Sequence, residues 1–182
     1  ATVVVDVRTM GALCDGTTDD VTEIQAAIDV SGPHVVQLPA GTCKITDQLL
    51  IAQHGVTIQG AGYGSSKLLY MPTVDGEAAI KADLAAASII SRTVIRDLWI
   101  TTTDTTRLKI GIWIVDGSQT LVENVLIGTQ SNWRGGTDVS PFTGTGSIGI
   151  KLQGREFGTF RNVMSAGAIP LYIDNNPNAP TI

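Results

Sequence analysis

The sequence is short of charge, of aromatic rings and of cysteine. Only 16% of its 182 residues are charged and 5% are aromatic, where an ordinary soluble domain has roughly 25% charged residues. Disorder is excluded, because disordered chains are poor in apolar residues and rich in charge, and this one is 43% hydrophobic. With 17 acidic against 12 basic residues and no basic run, the chain lacks the cations that displace counterions from phosphate, so no nucleic-acid partner is expected. No stretch approaches the roughly 18 uninterrupted apolar residues of a spanning helix, so no membrane insertion is expected either. Ala1 to Asp6 shows neither an initiator Met nor a signal-peptide layout, the pattern of a sequence that begins inside a longer or processed product. Cys14 and Cys43 are too far apart for a CxxC site and too few for a disulfide scaffold. Two buried thiols in a chain assembled in a reducing cytosol are expected, with a single bridge as the alternative.

What is present is small and apolar: 20 glycines and a mean hydropathy of +0.19. That composition suits a chain stacked on itself, or on neighbours, over much of its surface. One helix signal stands out. Asp15 to Asp20 reads as a turn leading into an acidic first helical turn, favoured at the positive end of the helix dipole. Val21, Ile24, Ala27 and Ile28 follow at three- and four-residue spacing, and Ser31-Gly32-Pro33 ends the run. Asp20 with Glu23 has the spacing of a capping box, with Thr17 or Thr18 as other candidate caps. Beyond the helix the chain reads as short Val-, Ile- and Thr-rich strands bounded by Gly, Pro or Asp: residues 35–38, 42–45, 49–51 and 56–59.

An internal repeat decides how these strands are arranged. Residues 111–116 align without gaps to 149–154, and 122–127 align to 160–165, both at an offset of 38. A third copy, 95–100, lies 27 residues before the middle one. Strand-and-turn repeats without intervening helices fit a parallel solenoid and exclude βαβ units, which need crossover helices. The fold expected is all-β, a right-handed parallel β-helix with an N-terminal capping α-helix, divided into residues 1–45 for the leading segment with its helix and 46–182 for the rungs. About five or six rungs, roughly 25–30 Å of solenoid, fit in that length at ~4.8 Å per rung, and the sequence stops without a capping element. In this register Ile95, Val122 and Phe160 point inward, and Arg96, Glu123 and Arg161 form an outward plus-minus-plus ladder. Asp97, Asn124 and Asn162 stack at a bend, where short polar side chains bond the backbone. Trp99, Leu126 and Met164 form an outward apolar stripe, expected to lie under a loop or another subunit.

The segments 11–20, 24–28, 38–42 and 55–62, in that order, closely resemble the N-terminal part of the pectate-lyase-like parallel β-helix superfamily. That group includes bacterial and fungal polysaccharide lyases, glycosidases and many bacteriophage tailspikes. The resemblance implies that the helix seals the open end of the solenoid and that Asp15, Asp19 and Asp20 fix its leading turn; a calcium loop there would not follow EF-hand spacing. Cys43 departs from the pattern, which has an aromatic, often Tyr, at that place.

The resemblance carries no catalytic residues, because members with different reactions share these segments, and catalytic residues are left unassigned. No stack of acids stands out to supply the carboxylate pair of a glycosidase. The insertion from Gly128 to Ser147 is long for a structureless loop and holds the candidate sugar-binding residues Trp133, Arg134 and Asp138, although packing on the solenoid or on a neighbouring subunit would also account for it. Trp stacks on sugar faces and Arg grips carboxylates. Trp113 points outward over Lys151, as a sugar contact or as a packing pair. His34 and His54, beside turns, read as structural. No metal site and no cofactor are expected. The function expected is a phage tailspike-type protein of the virion tail, a homotrimer that binds and depolymerises a bacterial surface polysaccharide. The alternatives are a secreted microbial polysaccharide lyase or glycosidase and a non-catalytic structural or receptor-binding virion protein.

Overall fold

The structure is a computed structural model that describes residues 2–84, 88–128, 146–154 and 157–174. Its strands are β1 (Val3–Asp6), β2 (Asp15–Asp19), β3 (His34–Gln37), β4 (Gly41–Ile45), β5 (Leu49–Ile51), β6 (Val56–Gln59), β7 (Ser66–Tyr70), β8 (Ala78–Ala82), β9 (Ile90–Ser91), β10 (Val94–Thr101), β11 (Ile110–Val115), β12 (Gly117–Ile127), β13 (Ile148–Gln153), β14 (Phe157–Ser165) and β15 (Ile169–Asp174). One α-helix, α1 (Val21–Ile28), interrupts them near the start. The strands form a ten-stranded sheet A and a five-stranded sheet B ordered β5-β8-β11-β13-β15. Pairing is parallel throughout both, with each strand beside the one a turn of the coil later.

The expected register is observed. Ile95 pairs with Val122 and Val122 with Phe160 in sheet A, and Ile112 pairs with Ile150 in sheet B. In sheet B, Leu49, Ile80, Ile112 and Ile150 form one buried column, and Ile51, Ala82, Ile114 and Leu152 form another. Each buried Leu or Ile side chain contributes roughly 1.5–3 kcal/mol of transfer free energy, so this interior holds the coil together without long helices. Leu171 and Ile173 continue the columns on β15 and are 53% and 65% exposed.

Sheet A turns a corner within single strands. Val94 to Arg96 of β10 pair with β6, while Trp99 to Thr101 pair with β7. Asp97 lies between them with φ 58°, and Asn124 and Asn162 repeat the left-handed conformation at φ 52° and 51°. Asn and Asp tolerate this region better than other non-glycine residues. Their side chains form a ladder: Asn162 donates Nδ2 to Asn124 Oδ1 at 3.1 Å, and Asn124 donates to Asp97 Oδ1 at 2.9 Å.

Four sequence expectations are corrected. Residues 15–19 form a strand rather than a turn, and its pairing with β4 sets Asp15 opposite Thr42. This brings Cys14 beside Cys43, and the two sulfurs are joined in a disulfide instead of standing as buried thiols. Asp20 precedes the helix but forms no side-chain cap; its carboxylate accepts from the backbone N–H of Leu13 and Cys14 at 2.7 and 3.1 Å. The charge ladder forms on one side only. Arg161 pairs with Glu123, whereas Arg96 turns the other way and donates to Gln59 Oε1 at 2.7 Å.

Helix α1 buries Ile24, Ala27 and Ile28 and packs against β3 and β5. Asp15 accepts from Thr17 N, Thr18 N and Thr18 Oγ1 at 2.8, 2.8 and 2.9 Å, which holds its carboxyl far below the usual carboxylate range. Asp19 accepts from Thr46 N at 3.1 Å and also from its hydroxyl. Asp15, Asp19 and Asp20 thus have the structural role that the resemblance implies, tying the leading strand to its neighbours. The outward stripe is largely covered by the chain itself: Leu126 is buried, and Trp99 donates Nε1 to the Gly128 carbonyl beneath the Lys67 ammonium, 4.7 Å from its ring centroid.

Candidate functional site

Each described rung passes from sheet A to sheet B along the same edge, through residues 46–48, 71–77, 102–109, 128–147 and 166–168 on successive rungs; these connections grow from three to twenty residues over the first four rungs and return to three on the last. Loops on a rigid scaffold are where binding groups concentrate. This edge borders the outer face of sheet B.

On that face Lys81, Trp113, Lys151 and Tyr172 stand in register on β8, β11, β13 and β15. Period-two alternation dictates their direction, since their neighbours Ile80, Ile112 and Ile150 are buried. The Lys81 ammonium lies 4.5 Å and the Lys151 ammonium 4.0 Å from the Trp113 ring centroid, and Lys151 is also 6.0 Å from that of Tyr172. The indole N–H donates to Gln153 Oε1 at 3.2 Å, which fixes the ring plane. Lys81 is further held by Asp83 Oδ2 at 2.8 Å. In a chain of net charge −5, two ammonium groups and two rings therefore form an ordered stripe with a repeat of one rung. Such a stripe suits a polymer that offers apolar ring faces and carboxylates in alternation.

The neighbouring loop is built to stay in place. Asp104 accepts from Thr106 N at 2.8 Å, Thr106 Oγ1 at 2.7 Å and Arg107 NH1 at 3.1 Å. Burial raises its pKa, but these bonds outweigh it and hold the carboxyl well below the ordinary range. Lys109 is fully buried and donates Nζ to the Arg107 carbonyl at 2.7 Å. Burial pulls its ammonium below the usual value, against the opposing charges of Asp104 and Asp75.

Of the residues singled out from the sequence, Trp113 lies on this face, paired with Lys151 as the repeat implied. Trp133, Arg134 and Asp138 lie outside the described residues, in the twenty-residue connection. Lys81 and Tyr172 were missed, because their rungs are offset from Trp113 and Lys151 by 32 and 21 residues and no single repeat length finds them. The histidines are structural. His34 is buried, with its ring nitrogens 2.7 Å from the Gly32 carbonyl and 2.9 Å from that of Ala27, and His54 Nδ1 accepts from Ser91 N at 3.1 Å. Cys14, Asp20 and Cys43 converge within 4.8 Å, but the sulfurs are joined to each other and Asp20 is engaged by backbone N–H groups. That trio is a covalent and hydrogen-bonded staple and offers no thiolate to a metal.

A family model described as rhamnogalacturonase A/epimerase, pectate lyase-like, matches residues 4–174. The mannuronan C5-epimerase AlgE4 of Azotobacter vinelandii is 40% identical over 70 residues, which is 34% of this chain and 13% of that protein. ORF18 of Geobacillus virus E2 superposes with a TM-score of 0.59 at 19% identity, covering 88% of this chain and 35% of the other. The pre-mature gene product 12 of bacteriophage phi29 superposes at 0.62 with 16% identity, covering 87% and 26%. The chain thus spans about an eighth to a third of the length of these relatives, and the structural likenesses establish the parallel β-helix fold.

Proposed function

This chain belongs to the rhamnogalacturonase A/epimerase, pectate lyase-like family, and from that membership we propose that it is part of a bacteriophage tailspike-type protein that binds, and in its full-length form depolymerises, a bacterial surface polysaccharide. The observation that carries the reading is the Lys81-Trp113-Lys151-Tyr172 stripe on the outer face of sheet B. A sugar polymer is held by many weak contacts in line. Aromatic rings supply stacking area, and fixed ammonium groups attract its anionic substituents. Trp133, Arg134 and Asp138 are proposed sugar-binding residues alongside Trp113. The coil is right-handed in this reading, with α1 sealing its first rung.

The viral setting is supported by the two phage proteins that share the fold, and action outside the cell by the Cys14–Cys43 disulfide, a bond that persists in oxidising surroundings. The protein assembles as a homotrimer on the virion tail, and its glycosidase or lyase chemistry resides in the full-length chain. A second reading, a polysaccharide-modifying enzyme of the epimerase kind, is favoured by the stretch shared with AlgE4.

Incubation of the full-length protein with a panel of capsular polysaccharides separates these. Released reducing or unsaturated ends support the depolymerase, and a changed uronate composition without shortening supports the epimerase. Binding without either leaves an adhesin. Failure to bind any member of the panel overturns all three. A monomeric mass in solution contradicts the tailspike.

A further inference from the structure

We propose that the corner within sheet A carries a second carbohydrate site, which takes a neutral N-acetylated sugar between Tyr63 and the ladder amides of Asn124 and Asn162. The rung of β10 turns this corner in residues 97 and 98, between Arg96, which pairs with Gln59, and Trp99, which pairs with Lys67. The rung before it spends seven residues, 60–66, on the same turn. That longer turn is pinned to the next corner. Gly60 N and Gly62 N donate to the Arg96 and Asp97 carbonyls at 3.0 and 2.9 Å, and Ser65 N and Ser66 N both donate to the Gly62 carbonyl at 2.9 Å. The approach is so close that a Cβ on Gly60 would lie 2.2 Å from the Asp97 carbonyl oxygen. Tyr63, in the middle of this anchored loop, is nevertheless 53% exposed.

Tyr63, Asn124, Val125, Asn162, Val163 and Met164 line one cleft of about 380 Å³, within the roughly 300–1,000 Å³ of small-ligand sites. Its lining is part amide and part apolar. The ladder runs one way, from Asn162 Nδ2 to Asn124 Oδ1 and from Asn124 Nδ2 to Asp97 Oδ1. A side-chain amide has two N–H donors and one oxygen. The ladder therefore uses one N–H of each asparagine and leaves the Asn162 oxygen at its end. An acetamido group matches that offer: its N–H donates to the amide oxygen, its carbonyl accepts an amide N–H, and its methyl packs on Val163 and Met164. The Tyr63 ring supplies the flat apolar surface on which a sugar ring stacks. Among the described residues no Lys or Arg lines the cleft, and Arg96 donates to Gln59 instead. A uronate carboxylate would meet no counter-charge here, in contrast to the stripe on sheet B. The site stands on its own residues; only the supply of such sugars by a bacterial surface polysaccharide rests on the function proposed above.

The test is titration calorimetry and saturation-transfer NMR of the full-length protein with the linear trisaccharide of N-acetylglucosamine, and with the glucose trisaccharide of the same linkage. The expected result is saturable binding of the acetylated sugar, with the strongest transfer at its acetamide methyl, and affinity for the glucose sugar lower by about tenfold. Tyr63→Ala weakens binding of the acetylated sugar about tenfold. Asn162→Gly, which keeps the left-handed backbone at φ 51°, weakens it several-fold. Lys81→Gln with Lys151→Gln keeps the full affinity, so failure of the sheet B reading leaves this site standing. No binding of the acetylated trisaccharide, equal affinity for the two sugars, undiminished affinity in Tyr63→Ala, or loss of binding in the lysine variant overturns the proposal.

Discussion

The indole of Trp113 lies with its centroid 4.0 Å from the ammonium of Lys151, its neighbour one rung further along sheet B. Lys81 takes up a matching place at 4.5 Å from the rung before. A tryptophan held between two lysines is rigid, half-buried and positively framed. Those properties make the face a candidate reader of an anionic sugar chain, in a protein whose overall charge is negative.

The disulfide is the strongest single staple of the leading segment. It closes a loop with a sequence separation of 29, for which the chain-entropy relation gives about 3–4 kcal/mol. Reduction, or the double substitution Cys14→Ser with Cys43→Ser, is expected to lower Tm by roughly 6–15 °C. Calorimetry with and without reductant checks this, and an unchanged Tm would count against the staple.

Asn124 combines a left-handed backbone at φ 52° with one hydrogen bond up the ladder and one down it. Asn124→Ala loses both bonds and keeps the backbone strain, for an expected cost of about 2–3 kcal/mol. Asn124→Gly removes the strain and should cost about half as much. Urea unfolding of the three proteins compares them directly, and equal stability of the alanine and glycine variants would show that the conformation carries no cost.

Glu77 gives a pH dependence of defined sign. Its folded-state pKa is raised above the ordinary value of 4.5 by burial and by the neighbouring Asp47, so the folded chain holds this proton more tightly than the unfolded chain. The associated stability is present below the ordinary value and is lost as pH rises through the folded one. Glu77→Gln should therefore raise Tm at neutral pH by roughly 1–3 °C and bring no gain well below the ordinary value. A gain that is the same at both pH values would contradict burial of the charge as its cause.

Much of the fold was legible because its repeat is written in side chains. Offsets of 38 and 27 residues placed Ile95, Val122 and Phe160 in one column and Asp97, Asn124 and Asn162 in another, as observed. Period-two alternation also put Trp113 outward beside Lys151. The disulfide was missed because residues 15–19 carry turn-forming Asp, Gly and Thr, with no apolar alternation to mark a strand. Their pairing with β4 is a tertiary fact, and only that pairing sets Cys14 beside Cys43. Asp20 looked like a helix cap by position, but the nearby N–H groups of Leu13 and Cys14 claim its carboxylate first. Arg96 had two polar neighbours across the sheet, and the sequence could not rank Gln59 above Glu123. In the candidate site, Lys81 and Tyr172 escaped notice because loops of unequal length shift each rung's offset.

Titration of intrinsic tryptophan fluorescence with an acidic bacterial capsular polysaccharide tests the central claim most directly, using the wild type and the double variant Lys81→Gln with Lys151→Gln. The prediction is a saturable, salt-sensitive change for the wild type and an affinity at least tenfold lower for the variant, about 1.4 kcal/mol. The same affinity in both proteins, or no binding by the wild type, would contradict a polysaccharide site on this face of sheet B.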